Sequence, residues 1–355
     1  MAGRALAFSD AEIIRLARED YIAVAADDWY QRRRQDAEGR FFVGVANQGP
    51  RKGEGGDTRQ GIYCLTANGK LLAYKNVGQN PSAMRDLLQE GLREWRKLPE
   101  SERRPGAVNV PEHGPADSAY FRSPPAGGLI LNVYARALAP AGTSSPRPQD
   151  PHAIVTSTSA TPGKFALGFT DAVCKVGRGD EASRDHLWLT EAEWKSLLPL
   201  KPQQGDKFPI PSRIAERILR FHLVDNTRGE PPMWRREHIR TNQLTLHVEA
   251  VTAQEVRLRV EGVVLLAIRA DTAQADHGYD ASLLGYLTYD PSRRTIRRFD
   301  MVSVGDHWGV GAHTRRDARQ GRTPLGIAFE LAKGDSPADR VAPQAARELR
   351  EYFGN

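Results

Sequence analysis

Three stretches of the sequence gather residue types that can do chemistry. Cys64, one of two cysteines in 355 residues, sits in TRQGIYCLTANGKLLAYKN at positions 58–76. It is either a reactive thiolate or a small hydrophobe in a strand. RFHLVDNTRGEPPMW, residues 220–234, places His222 three positions before Asp225, with Arg228 and Glu230 flanking Gly229. VSVGDHWG, residues 302–309, sets Asp306 beside His307 between glycines. Together His222, Asp225, Asp306 and His307 supply the nitrogen and oxygen donors of a ligand-binding or metal-assisted hydrolytic site. An Asp-His pair also arises where a carboxylate orients an imidazole for proton transfer, and Asp185-His186 is a further such pair. No His-Glu-x-x-His helix, Gly-x-Ser-x-Gly elbow or phosphate loop accompanies them. Cofactor and metal are therefore left open, as is the choice between enzyme and binding protein.

Other clusters have two readings each. Trp188, Trp194, Trp234 and Trp308 form either core or an aromatic wall for a flat ligand. Arg315, Arg316, Arg319 and Arg322 form either an anion-binding loop or a solvated connection. Asp27 and Asp28 either bind a cation or pair with Arg32, Arg33 and Arg34. GRGD, residues 177–180, is most simply a turn.

The elements that must position these groups follow from periodicity. Ser9 and Glu12 predict a capped helix carrying Ile13 and Leu16. Tyr21–Ala25 reads as a buried strand that ends at Asp27 and Asp28. Ile62–Thr66 and Lys70–Tyr74 are the arms of a hairpin whose Asn68-Gly69 turn supplies positive φ. Met84, Leu87, Leu88, Leu92 and Trp95 line one face of a helix capped by Asn80 or Ser82. Residues 99–128 are rich in Pro and Gly and are expected to be a linker. Beyond a strand at LILNVYARAL, AIVTSTSA and KFALGFT are short strands by propensity. Helices are expected near 190–199, with a Thr190/Glu193 capping box, and near 211–222, capped by Ser212. Leu244, Leu246 and Val248, then Val256, Leu258 and Val260, alternate with polar residues as in a half-buried antiparallel hairpin. Further strands follow, and the C-terminal APQAARELREYF is a short helix.

The stretch GIYCLTANGKLLAYKN…PSAMRDLLQEGLREW resembles the closing hairpin and last helix of the thioredoxin-like fold, over about a quarter of the chain. That resemblance implies a thioredoxin-like domain over 8–98. It departs from the family at the redox loop. In ADDWYQRRR, Tyr30 and Arg33 stand where the two cysteines would be, and Tyr63 stands at the expected cis-proline. The resemblance also implies that Cys64 faces the loop carrying Arg33, with Arg59 nearby. Such guanidinium groups would favour a single reactive thiolate in a basic cleft.

Net charge is +6, but most arginines are scattered in pairs and no RNP motif, zinc finger or basic helix accompanies them, which argues against nucleic acid. A small molecule or a protein remains the expected partner. Two cysteines rule out a disulfide framework and leave a single Cys64–Cys174 bridge open. No apolar run reaches a membrane span. No signal peptide is visible, so a soluble cytoplasmic protein or a processed exported form is expected. The overall expectation is an α+β chain. A thioredoxin-like α/β domain precedes a mostly antiparallel β domain over 129–355, an open barrel or sandwich with inserted helices. Function rests either on Cys64 or on the β domain, with a non-catalytic interaction protein as the third reading.

Overall fold

The computed structural model describes residues 7, 8, 10–53, 57–76, 80–104, 106–108, 114–138, 182–311, 313, 314 and 321–354. Ser9, Cys174, the AIVTSTSA and KFALGFT strands, GRGD, Arg315, Arg316 and Arg319 lie outside these residues. Among the described residues no helix is long and apolar enough to cross a membrane.

Helix α1, Ala11–Glu19, is capped by Asp10, whose Oδ1 accepts from the backbone N–H of Glu12 and Ile13. Ile13 and Leu16 are its buried face. The expected buried strand Tyr21–Ala25 has no regular secondary structure and no strand partner among the described residues, and residues 22–25 are exposed instead of buried. It leads to the short helix α2, Asp28–Gln31, and then to α3, Ala37–Ala46, each capped by an aspartate. The hairpin forms as the alternation and the Asn-Gly turn require. Strands β1, Ile62–Leu65, and β2, Leu71–Lys75, pair antiparallel around Gly69 at φ +84°. Helix α4, Pro81–Lys97, capped by Asn80, lays Met84, Leu87 and Leu88 on the hairpin. This region has helices and, among the described residues, one two-stranded hairpin, and it is not clearly thioredoxin-like.

The linker contains a one-turn helix α5, Glu100–Arg103. Farther on, Asp117 accepts from Gln35 N and donates its own N–H to Asp36. Arg122 reaches the Ala346 carbonyl at 3.3 Å.

Among the described residues the rest is built on an open sheet of eight antiparallel strands, in place of the expected open barrel or sandwich. The strands are β3, Leu129–Ala137; β4, Ser183–Leu189; β5, Lys207–Pro209; β7, Ile239–Val251; β8, Val256–Ala267; β9, Gly278–Asp290; β10, Thr295–Trp308; and β12, Thr323–Leu331. Their order is β4-β3-β12-β10-β9-β8-β7-β5. Two-residue strands β6, Gly229–Glu230, and β11, His313–Thr314, pair separately. One face buries alternate residues such as Leu246, Leu258, Leu287, Met301 and Phe329. Against it pack α6, Glu191–Ser196, then α7, Ser212–Arg217, which runs on as a π-helical turn, Ile218–His222, and finally α8, Leu349–Phe353. The Thr190/Glu193 capping box is present. Ser212 is the first helical residue rather than the cap.

Candidate functional site

Cys64 lies on β1 with its side chain among Ile13, Leu16, Met84, Leu87 and Leu88, and is 2% exposed. Its Sγ comes no nearer than 3.9 Å to the Leu87 carbonyl. Burial pushes the thiol pKa up, against a smaller opposing effect of the Tyr21 hydroxyl. The arginines expected opposite it are committed elsewhere. Arg33 donates to the Trp29 carbonyl at 3.1 Å and stacks over the Trp29 ring. Arg59 is buried and donates to Asn47 Oδ1 and to the carbonyls of Arg51 and Gly53. Arg32 pairs with Asp28, and Arg34 with Asp36. The basic cleft around Cys64 is thus not formed by these side chains. The reason is local: a short helix capped by Asp27 folds the arginine run back on its own carboxylates.

The four β-domain residues do not come together as one group. Asp306 and His307 are neighbours on β10, and the period of two sends them to opposite faces of the sheet. Asp306 is exposed, opposite Asp280 of β9. His307 is buried on the core face. His222 ends the π-helical turn in a separate cluster, where its Nε2 meets the Tyr352 hydroxyl at 3.0 Å and its Nδ1 lies 3.8 Å from Asp185 Oδ2. Those last two atoms are buried and without a hydrogen-bond partner among the described residues. Burial lowers the His222 pKa to about 3 and raises that of Asp185 to about 6.

Asp225, Arg228 and His307 do meet, and the structure adds His277. Asp225 shapes the loop after the π-helical turn: its Oδ1 accepts from Thr227 N and Oγ1, at 3.0 and 2.5 Å. Its Oδ2 accepts from Arg228 Nε at 2.6 Å. Arg228 Nη2 also donates to the Gly309 carbonyl at 2.9 Å, and Gly309 holds φ +85°, a glycine conformation. The same Nη2 stands 3.5 Å from His307 Nδ1. His307 Nε2 faces His277 Nε2 at 3.3 Å. The His277 ring stacks on Trp234, centroids 4.4 Å apart, and Trp234 Nε1 donates to the Leu223 carbonyl. Trp308 closes the neighbouring surface, lying so tightly over Gly278 that a Cβ there would sit 2.0 Å from its ring.

The electrostatics follow from these contacts. Burial works to raise the Asp225 pKa, but His307, Thr227 and Arg228 outweigh it and keep the carboxyl below its ordinary value. Burial, helped by the Arg228 charge, lowers His277 to about 4, so its imidazole is neutral near pH 7. A guanidinium only donates. When His307 is neutral, its Nδ1 therefore accepts from Arg228 and its proton sits on Nε2, aimed at His277 Nε2. His277 then carries its own proton on Nδ1. A proton added to His307 has the Asp225 carboxylate as its counter-charge. The arrangement can pass a proton between two imidazoles or offer an N–H to an acceptor oxygen. Among the described residues no three His, Cys, Asp or Glu side chains are placed to hold a metal ion.

His277 was missed by the sequence reading, although ADHGY at 275–279 repeats the Asp-His pattern of GDHWG at 305–309. Trp234, for which the sequence allows either core or an aromatic wall, is buried and also carries the His277 ring. No family model, curated protein or solved structure matches the chain.

Proposed function

We propose that the β-rich part of the chain carries the functional site. It binds a ligand with an acceptor oxygen, and acid–base chemistry on that ligand runs through His307 and His277. The observation that carries this reading is the 3.3 Å contact between two buried imidazole Nε2 atoms, backed by the Arg228–Asp225 pair. Buried polar groups cost stability, and linked titratable groups with perturbed pKa values cluster at functional sites. Cys64, buried and without an arginine partner, lends no comparable support to the thiol reading.

The test is a thermal-shift and hydrolysis screen with carboxylates, phosphate esters, acyl esters and glycosides. It is run on the wild type, His277→Gln, His307→Gln and Cys64→Ser. A ligand or substrate whose effect disappears in both histidine variants and survives Cys64→Ser is expected. An effect that follows Cys64, or a wild type blind to every class, overturns the proposal.

One observation favours an interaction protein as the second reading. Residues 22–26, IAVAA, are all exposed, with Ile22 at 94% and Val24 at 83%. A β-prone apolar segment in that state offers its backbone to another strand. Ile22→Asp combined with Val24→Asp should abolish any self-association or partner binding seen by size-exclusion chromatography. Association that survives both changes removes this reading.

A further inference from the structure

A groove of about 520 Å³ lies between the turn Arg236–His238 and helix α8. It is lined by Arg220, Arg235, Arg236 and Arg350, with Glu237 and Glu351. Four guanidinium groups thus meet two lining carboxylates and a third, Glu216, behind Arg220 and Arg236. The volume falls within the range of about 300–1,000 Å³ typical of small-molecule sites.

The floor of the groove is held rigidly. The π-helical turn Ile218–His222 is a geometry uncommon in proteins and frequent at functional sites. It brings Arg220 under the groove. Arg220 is buried; its Nε donates to the Trp234 carbonyl at 3.0 Å, its Nη1 to Glu216 at 2.9 Å, and its Nη2 pairs with Glu351. Glu216 also pairs with Arg236. These ion pairs tie the turn, the π-helical segment and α8 together, so both walls are fixed before any ligand arrives.

The rim is different. Arg235 comes only to 3.7 Å from Glu237, and its side chain is 75% exposed. Arg350, exposed on α8, has no ion pair among the described residues. A guanidinium fork matches two oxygens of a phosphate with parallel N–H···O bonds, and exposed forks around one groove can turn onto the same anion. We propose that this groove is a binding site for a phosphate-bearing anion, held by Arg235, Arg236 and Arg350 over the Arg220 floor.

Pyrophosphate is the probe, titrated calorimetrically into the full chain at near-physiological ionic strength. Arg235→Glu/Arg350→Glu reverses two rim charges. Arg257→Glu/Arg298→Glu makes the same change in net charge on exposed residues of β8 and β10 that do not line the groove. The wild type is expected to bind, the control pair to bind as the wild type does, and the rim pair to lose about tenfold or more in affinity. If the rim pair does not fold, as read by its melting temperature, Arg350→Gln alone is expected to give a smaller loss of the same sign. A wild type that does not bind pyrophosphate overturns the proposal. So does equal loss in rim and control variants, which would mark general surface charge, or a rim variant that binds undiminished.

Discussion

The pocket around Cys64 and the end of the sheet around His307 both bury a chemically capable side chain, and they bury it in opposite ways. Cys64 is surrounded by aliphatic groups, with one weak contact to a carbonyl, and burial drives its thiol toward the neutral form. His307 is one link of a series running Asp225, Arg228, His307, His277, in which each polar group meets another. Desolvation alone silences a titratable group; desolvation with partners keeps a carboxylate ionised and an imidazole neutral side by side. That contrast is why we propose the functional site in the sheet rather than in the first hundred residues.

The largest expected effect tests the connected region. Asp225→Ala leaves the Arg228 guanidinium buried without its carboxylate, and a loss of about 3–5 kcal/mol in denaturant unfolding is expected. A loss below about 1 kcal/mol would mean that the series is not a unit.

Asp185 sharpens the comparison as a buried polar group with an orphaned oxygen. Its pKa is raised from 3.8 to about 6 in the fold, so its contribution is favourable below pH 4 and is lost as pH rises through 6. Asp185→Asn should therefore stabilise the protein at pH 7 by about 2–3 kcal/mol, and the gain should vanish near pH 4. His222 and His277 act with the opposite sense. Their pKa values, lowered from 6.5 to about 3 and about 4, give stability that is full above 6.5 and erodes as pH falls toward 4. A stability profile with no acid limb in Asp185→Asn would contradict this assignment.

The Cys64 pocket should respond to volume and not to charge. Gly91 packs so closely that a Cβ would lie 2.6 Å from the Tyr21 hydroxyl and 2.9 Å from Cys64 Sγ. Gly91→Ala should cost about 1–3 kcal/mol through overpacking. Smallest of all, Cys64→Ala should cost about 1 kcal/mol, and the native thiol should resist alkylation until the protein unfolds. Rapid labelling of the native chain would return the thiol to consideration.

Much of the frame could be read from local rules. Asn68-Gly69 between alternating arms, Asn80 before an apolar helical stripe, Thr190 with Glu193, and the alternation at 244–248 and 256–260 each specify structure within a few residues. The failures are tertiary. Tyr21–Ala25 has strand propensity, but a strand needs a neighbour and the fold supplies none among the described residues. Asp306 and His307 look like a pair in sequence, and the pleat separates them. His222 and Asp225 are three apart, yet the π-helical turn directs His222 toward β4 while the following loop turns Asp225 toward β10. His277 enters the site only because β9 pairs with β10, with Tyr279 opposite His307.

The imidazole pair is tested most directly by following the ring resonances of His277 and His307 by nitrogen-15 NMR from pH 8 to pH 4. His277 is expected to stay neutral, with its proton on Nδ1, until the pH approaches 4, and to sense the state of His307. Independent titration of His277 near its ordinary value of 6.5 would mean that the two rings are neither buried together nor linked, and the proposed site would go with them.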